Sequence, residues 1–228
     1  MELSHPQARA QLTLDEGGQA LLVVGHCLSL GHAQSGAAHI PLWGDLGERV
    51  LEFTLRESFH GGARWQVRAL GKGESSEPLD LDSSPGIPIG SAGTVRLSQP
   101  DPASAAAVLE LHGNLDAEGA RRVLLVPPGS GGALRFGPTS DCHLFWQGAD
   151  PQAHVHLSVC GEYEDLRLHL DCGEGLRLPD AGSAVHWEMP FPPRDRVEVL
   201  LGDLDSSQPP CALCLSPSRP PTIDPGSR

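Results

Sequence analysis

The sequence predicts an all-β protein built from two tandem β-sandwich domains. Three observations carry the prediction: the apolar runs are short, turn residues separate them throughout, and the order of runs in the first half returns in the second. Twenty-seven glycines and 21 prolines are scattered over 228 residues, which leaves no room for a sustained helical period. That length fits two domains of about 100 residues each. With only five Phe and one Tyr, the cores must be filled by Leu, Val and Ala.

In the first half, apolar runs at 12–14, 20–24 and 27–30 each stop at a nearby Gly and read as short strands. Residues 50–56 and 65–70 alternate apolar with polar side chains, the period of a strand with one buried face. His60, Gly61 and Gly62 suit a hairpin between them. Residues 78–88 read as a loop, and 94–97 and 107–111 as closing strands, with 104–107 open to a helical turn instead. The first domain therefore spans 1–113. The polar segment 114–122, with Asp116, Ala117, Glu118 and Gly119, reads as a linker that has room for a capped helical turn of its own.

The second domain, 123–215, carries runs at 123–126, 134–136, 143–146, 155–159, 166–170, 176–178, 185–187, 197–201 and 212–215. Short runs of similar length between turn residues are the pattern of a sandwich. Residues 216–228, rich in Pro and Ser, cannot bury enough apolar surface to order themselves and read as a disordered tail.

The halves echo each other. Leu28-Ser29-Leu30-Gly31 with Ile40-Pro41-Leu42-Trp43 corresponds to Leu134-Arg135-Phe136-Gly137 with Leu144-Phe145-Trp146. In both, a strand ends in Gly, a polar loop follows, and a second strand ends in Trp. An alternating strand comes next in each, at 50–56 and at 154–159. Self-similarity of this kind points to one structural unit used twice.

Sixteen Lys and Arg against 29 Asp and Glu give a formal charge of −13. That charge repels nucleic acid and anionic membrane, so neither is expected as a partner. The amino terminus lacks a basic segment followed by an apolar core, and no run is long enough to span a bilayer, so a cytoplasmic location is expected. Six cysteines without an export signal read as reduced thiols. Cys211 and Cys214 have the gap of a metal knuckle or redox pair. Neither a second ligand pair nor a helix start follows, so they read as thiols on a last strand.

The segments Gly31-His32-Ala33-Gln34-Ser35 and Asp45-Leu46-Gly47-Glu48-Arg49-Val50, with Gly137-Pro138-Thr139-Ser140-Asp141-Cys142-His143-Leu144, resemble the forkhead-associated (FHA) domain. The resemblance covers 12–111 and, more loosely, 123–215. It implies two tandem domains of the SMAD/FHA fold whose loops at one end hold a phosphothreonine peptide. The family's phosphate donors are replaced: His32, Gly47 and Glu48 stand in their places in the first domain, and Val50 replaces the bracing His. In the second, Pro138 replaces the Arg, Asp150-Pro151-Gln152-Ala153 replaces the Ser-Arg segment, and only His154 survives. A charged hydrogen bond contributes about 1.5–3 kcal/mol, so losing several should impair phosphothreonine recognition. The implied function is a non-enzymatic protein-binding or scaffolding module in a kinase-linked signalling or assembly system. Its partner is a protein, phosphorylated or not.

The candidate partner-binding residues are Gly31, His32, Ser35, Gly47, Glu48, Arg49 and Arg64 in the first domain and Gly137, Ser140 and His154 in the second. Two alternatives stand beside this reading. His32, Arg49 and Arg64 with Ser35 could retain phosphothreonine binding, although exposed arginines are more commonly solvated surface cations. His154 and His156, two apart on one strand face, could grip a metal with His143 or His169, although paired surface histidines are common without one. No cofactor, metal or catalytic residue is expected. Gly129-Ser130-Gly131-Gly132 lacks the Lys and helix of a phosphate cradle, and no nucleophile is paired with a base at a recognisable spacing. The four tryptophans read as core plugs.

Overall fold

The computed structural model describes residues 8–15, 18–33, 38–46, 50–57, 62–71, 74–75, 79–80, 86–129, 131–145, 154–162, 164–178, 182–201 and 211–218. These residues form strands and turns without an α-helix, as the all-β reading expects. In chain order the strands are β1 (Arg9–Leu14), β2 (Gly18–Val24), β3 (Cys27–His32), β4 (Ile40–Leu42), β5 (Val50–Glu57), β6 (Ala63–Gly71), β7 (Glu74–Ser75), β8 (Leu79–Asp80), β9 (Ile87–Ile89) and β10 (Gly93–Ser98). They continue as β11 (Ala107–Gly113), β12 (Arg122–Val126), β13 (Leu134–Gly137), β14 (Leu144–Phe145), β15 (Val155–Cys160), β16 (Arg167–Leu178), β17 (Gly182–Pro190), β18 (Val197–Leu201) and β19 (Cys211–Pro217).

The smaller sheet has six strands, in the order β4-β3-β5-β6-β7 with β8 also on β6. The larger has thirteen, in the order β14-β13-β15-β16-β18-β19-β1-β2-β12-β11-β10-β9 with β17 also on β16. Within the larger sheet β12 runs parallel to β2 and antiparallel to β11, while β1 pairs antiparallel with β19. The hydrogen bonds thus continue from the first half of the chain into the second on both sides of 114–122.

Two apolar cores lie on opposite faces of β2, β11 and β12. Leu21, Val23, Leu109, Leu111, Val123 and Leu125 face the smaller sheet, where they meet Leu30, Phe53, Trp65 and Val67. Their chain neighbours Leu22, Val24, Val108, Leu124 and Val126 face the other way and meet Leu134, Phe136, Leu157, Leu170 and Leu213. A strand wetted on one face alternates in hydropathy, whereas one covered on both faces reads as a continuous apolar run. Ala20-Leu21-Leu22-Val23-Val24 and Val123-Leu124-Leu125-Val126 are such runs, and each of these residues is at most 4% exposed. The two cores share one wall.

Several sequence expectations are corrected locally. The helical turn allowed at 114–122 is a tight turn, with Ala117 and Ala120 exchanging backbone hydrogen bonds at 2.8 and 3.0 Å. Glu118 takes φ of 55° there, and the Gly119 amide donates to Asp116 Oδ1. Residues 104–106 carry no helix, and Ser104 instead donates to the Ala133 carbonyl. The loop expected at 78–88 includes the short strands β8 and β9. The run 166–170, from Arg167 on, and the run 176–178 belong to one long strand, β16, whose pairing with β17 shifts register between Asp171 and Leu176.

The turn at Glu118 is tied to both ends of the strand series. Its carboxylate lies 3.2 Å from Arg9 Nη2, with side chains only 5% and 10% exposed. The contact is an ion pair without hydrogen-bond alignment, since Glu118 Oε1 has no hydrogen-bond partner among the described residues. Ser218 Oγ donates to Glu118 Oε2, and Gln11 Nε2 donates to the Glu118 carbonyl. Trp65 is the core plug expected, with Nε1 donating to the Ala105 carbonyl at 2.8 Å. Cys27, Cys142, Cys160 and Cys214 are free thiols, and Cys211 and Cys214 both lie on β19. Among the described residues no helix is long and apolar enough to cross a membrane.

Candidate functional site

The echo in the sequence corresponds to one local construction built twice. In the smaller sheet, Leu30 pairs with Ile40 on the parallel side and Leu51 on the antiparallel side. In the larger sheet, Phe136 pairs in the same way with Leu144 and Val155. Gly31 then lies opposite Pro41, and Gly137 opposite Phe145. A histidine before the short parallel strand locks each loop: His39 Nδ1 accepts the Ser29 amide at 3.1 Å, and His143 Nδ1 accepts the Arg135 amide at 3.0 Å. Burial lowers the pKa of both rings, helped at His39 by the nearby Arg9 charge. A neutral ring suits both roles, because a protonated Nδ1 cannot accept an amide hydrogen.

At the first loop, Gly31 is buried and its missing Cβ would touch Ala38 and Val50 at 3.5 and 3.6 Å, ordinary contact distances. Gly31 is therefore a packing position next to the first residue of β5, and His32 beside it is half-buried. Ser35, Gly47, Glu48 and Arg49 lie outside the described residues. Arg64 does not belong with this group. It pairs with Arg56 near the end of β5 and the start of β6, five residue steps from the Leu51–Ala69 pair at the loop end, a separation of roughly 17 Å along the strand. His32 and Arg64 cannot share one phosphate.

The second loop gathers more chemistry. Arg135 on β13 reaches forward to Asp141, with Nη1 at 2.5 Å from Oδ2. A hydrogen bond from the Thr139 side chain holds the Asp141 carboxyl below the usual carboxylate range, and Arg135 adds to this. Thr139 Oγ1 also sits 3.3 Å from Cys142 Sγ, which lies 4.0 Å from His154 Nδ1 at the entry to β15. Gly137 is buried at the base of the loop and Ser140 is exposed at its tip. The loop thus joins Gly137 and His154 of the expected set through Thr139, Asp141 and Cys142. Arg135, on β13 between the buried Leu134 and Phe136, is the charged residue of this loop that lies outside the set of candidates expected from the sequence. Its Nε is buried without a hydrogen-bond partner among the described residues.

Partial burial and the Arg135 charge lower the pKa of His154. A neutral imidazole at the sulfur-contact limit from a thiol that is only 9% exposed makes a brace, not an accessible nucleophile with its base. The metal grouping of His154 and His156 with His143 is not assembled. Both His143 ring nitrogens are engaged, Nδ1 by the Arg135 amide and Nε2 by the Ala106 carbonyl at 3.2 Å. His169 sits on β16 across from Glu188.

Beside this loop Phe145 is 50% exposed. It lies on β14, which stands at one end of the larger sheet among the described residues. The equivalent edge position of the first loop is Pro41, which is buried. Comparison with protein-family models, with curated proteins and with solved structures finds no match.

Proposed function

We propose that this protein is a non-enzymatic protein-binding or scaffolding module of the FHA-like kind, and that it meets its partner through the Gly137–Phe145 end of the larger sheet. The observation that carries this reading is Phe145. A large aromatic left half-exposed on an edge strand gives a partner both an apolar anchor and backbone groups that pair with no further strand among the described residues, the two components of strand-addition recognition. The first loop has Pro at that position, and a proline cannot donate to an added strand.

Impaired phosphothreonine recognition is part of the proposal. The cation best placed to meet a phosphate, Arg135, already has Asp141 as its counter-ion, and that carboxylate would repel the incoming anion. Retained phosphate binding by the first loop has less support, because Arg64 is remote from His32. A kinase-linked setting rests on the FHA resemblance alone.

The test is affinity capture with the full chain, a Phe145→Ser variant and phosphatase-treated lysate. A partner held by the parent chain, lost with the variant and indifferent to phosphatase supports the proposal. A partner that the variant holds equally well, or one lost on phosphatase treatment, overturns it.

A further inference from the structure

The wet face of β15, β16 and β17 carries an unusual set of side chains in register. Across the strands, Ser158, His169 and Glu188 form one row, and His156, Asp171 and His186 form the next. The opposite face of the same strands holds Leu157, Leu168 and Leu170 in the core, so the alternation that buries the leucines directs the histidines and carboxylates outward together.

Within these rows His169, His186 and Glu188 converge. Each offers one ligating atom, and the three atoms lie within 4.8 Å of one another. His169 Nδ1 is 3.8 Å from Glu188 Oε2, and the two imidazole centroids are 5.6 Å apart. Two neighbours orient the group. Asp171 Oδ1 holds His186 Nδ1 at 2.7 Å, which places the proton on Nδ1 and leaves the Nε2 lone pair for a ligand. Arg167 takes the other Glu188 oxygen, Oε1, and leaves Oε2 directed toward His169. A carboxylate behind a histidine is the usual outer-shell support of a metal-binding imidazole.

We infer that His169, His186 and Glu188 form a site for a divalent transition-metal ion, of which zinc is the best fit. Imidazole and carboxylate ligands suit zinc, and bonds of about 2.0–2.1 Å set tetrahedral ligand atoms about 3.3 Å apart. Rotation of three solvent-facing side chains closes the present spacing without moving the strands. Three protein ligands leave one position to water. The bound ion clips β17 to β16 and is independent of the partner-binding surface at Phe145. The Arg167 charge weakens the site, but this residue is 42% exposed, and solvent screens much of its repulsion.

The experiment titrates the chelator-treated full chain with zinc by calorimetry, and with cobalt by visible absorption. One ion per chain is expected, with affinity falling about tenfold or more in His169→Ala and again in His186→Ala. Cobalt spectra should lack thiolate character, and His154→Ala and Cys142→Ser should leave the affinity unchanged. Absence of zinc binding at ~100 μM, or binding that persists in the doubly substituted chain, overturns the assignment. Because the native residues are already exposed or half-buried on a sheet face, the variants are expected to keep the parent's circular dichroism.

Discussion

His143 accepts the backbone amide hydrogen of Arg135 on Nδ1 at 3.0 Å, and its Nε2 donates to the Ala106 carbonyl at 3.2 Å. One buried ring therefore ties the second loop to β13 and to the lead-in of β11. Removing it in His143→Ala leaves an amide and a carbonyl without partners, which should cost about 2–4 kcal/mol. Denaturant unfolding at neutral pH measures the difference, and a loss below about 1 kcal/mol would show that water replaces the ring.

A pH dependence follows from the same burial. Folding lowers the pKa of His143, His39 and His154 below the usual 6.5. Below 6.5 the unfolded chain then binds more protons than the folded one, so stability rises with pH in that window. The melting temperature should fall as pH drops from 6.5 toward the folded pKa values, and remain level with respect to these groups above 7. His143→Ala should flatten part of that slope. An unchanged slope would remove His143 from the set.

The buried pair of Arg9 and Glu118 gives a separate stability prediction. Replacing Arg9 with Met leaves a carboxylate only 5% exposed without its counter-ion, which should cost about 3–5 kcal/mol. Glu118 also holds φ of 55°, where an L side chain is disfavoured by about 1–2 kcal/mol. Glu118→Gly should therefore be more stable than Glu118→Ala by about 1 kcal/mol, although both lose the ion pair. Equal unfolding midpoints would show that the turn relaxes out of the left-handed region.

The shared wall predicts how the chain unfolds. Leu124 and Leu125 are both fully buried, yet they face different cores. Leu124→Ala and Leu125→Ala should each cost about 2–5 kcal/mol and lower one common transition, because each weakens a strand that both cores need. A fragment ending at residue 113 lacks β12 and should not fold. Two resolved transitions, with each substitution shifting only one, would show two independent domains instead.

The sequence disclosed most strands and missed their partnership for a physical reason. Alternation at 50–56 and 65–70 reports a wet face and located β5 and β6 directly. The runs at 20–24 and 123–126 were visible as strands, but reading them as buried on both faces requires weighing the missing polar positions, which short runs obscure. The repeat of Leu30-Gly31 in Phe136-Gly137 was legible because it is local. Arg135 was not, since its role depends on Asp141 across a loop, and neither were His186 and Glu188, which meet His169 only through strand pairing.

The last prediction concerns phosphate. Parent protein should bind phosphothreonine peptides weakly or not at all, because Asp141 occupies Arg135 and Pro138 offers no donor. Asp141→Asn removes the competing charge and frees the guanidinium. One charged hydrogen bond contributes about 1.5–3 kcal/mol, so the variant should bind a phosphothreonine peptide at least about tenfold more tightly than the parent. Adding Arg135→Ala should erase that gain. Sub-micromolar binding by the parent that disappears on dephosphorylation would show the site to be intact. A gain that survives Arg135→Ala would mean that phosphate is held elsewhere, and the proposal that the second loop is a worn phosphate-binding loop would fail.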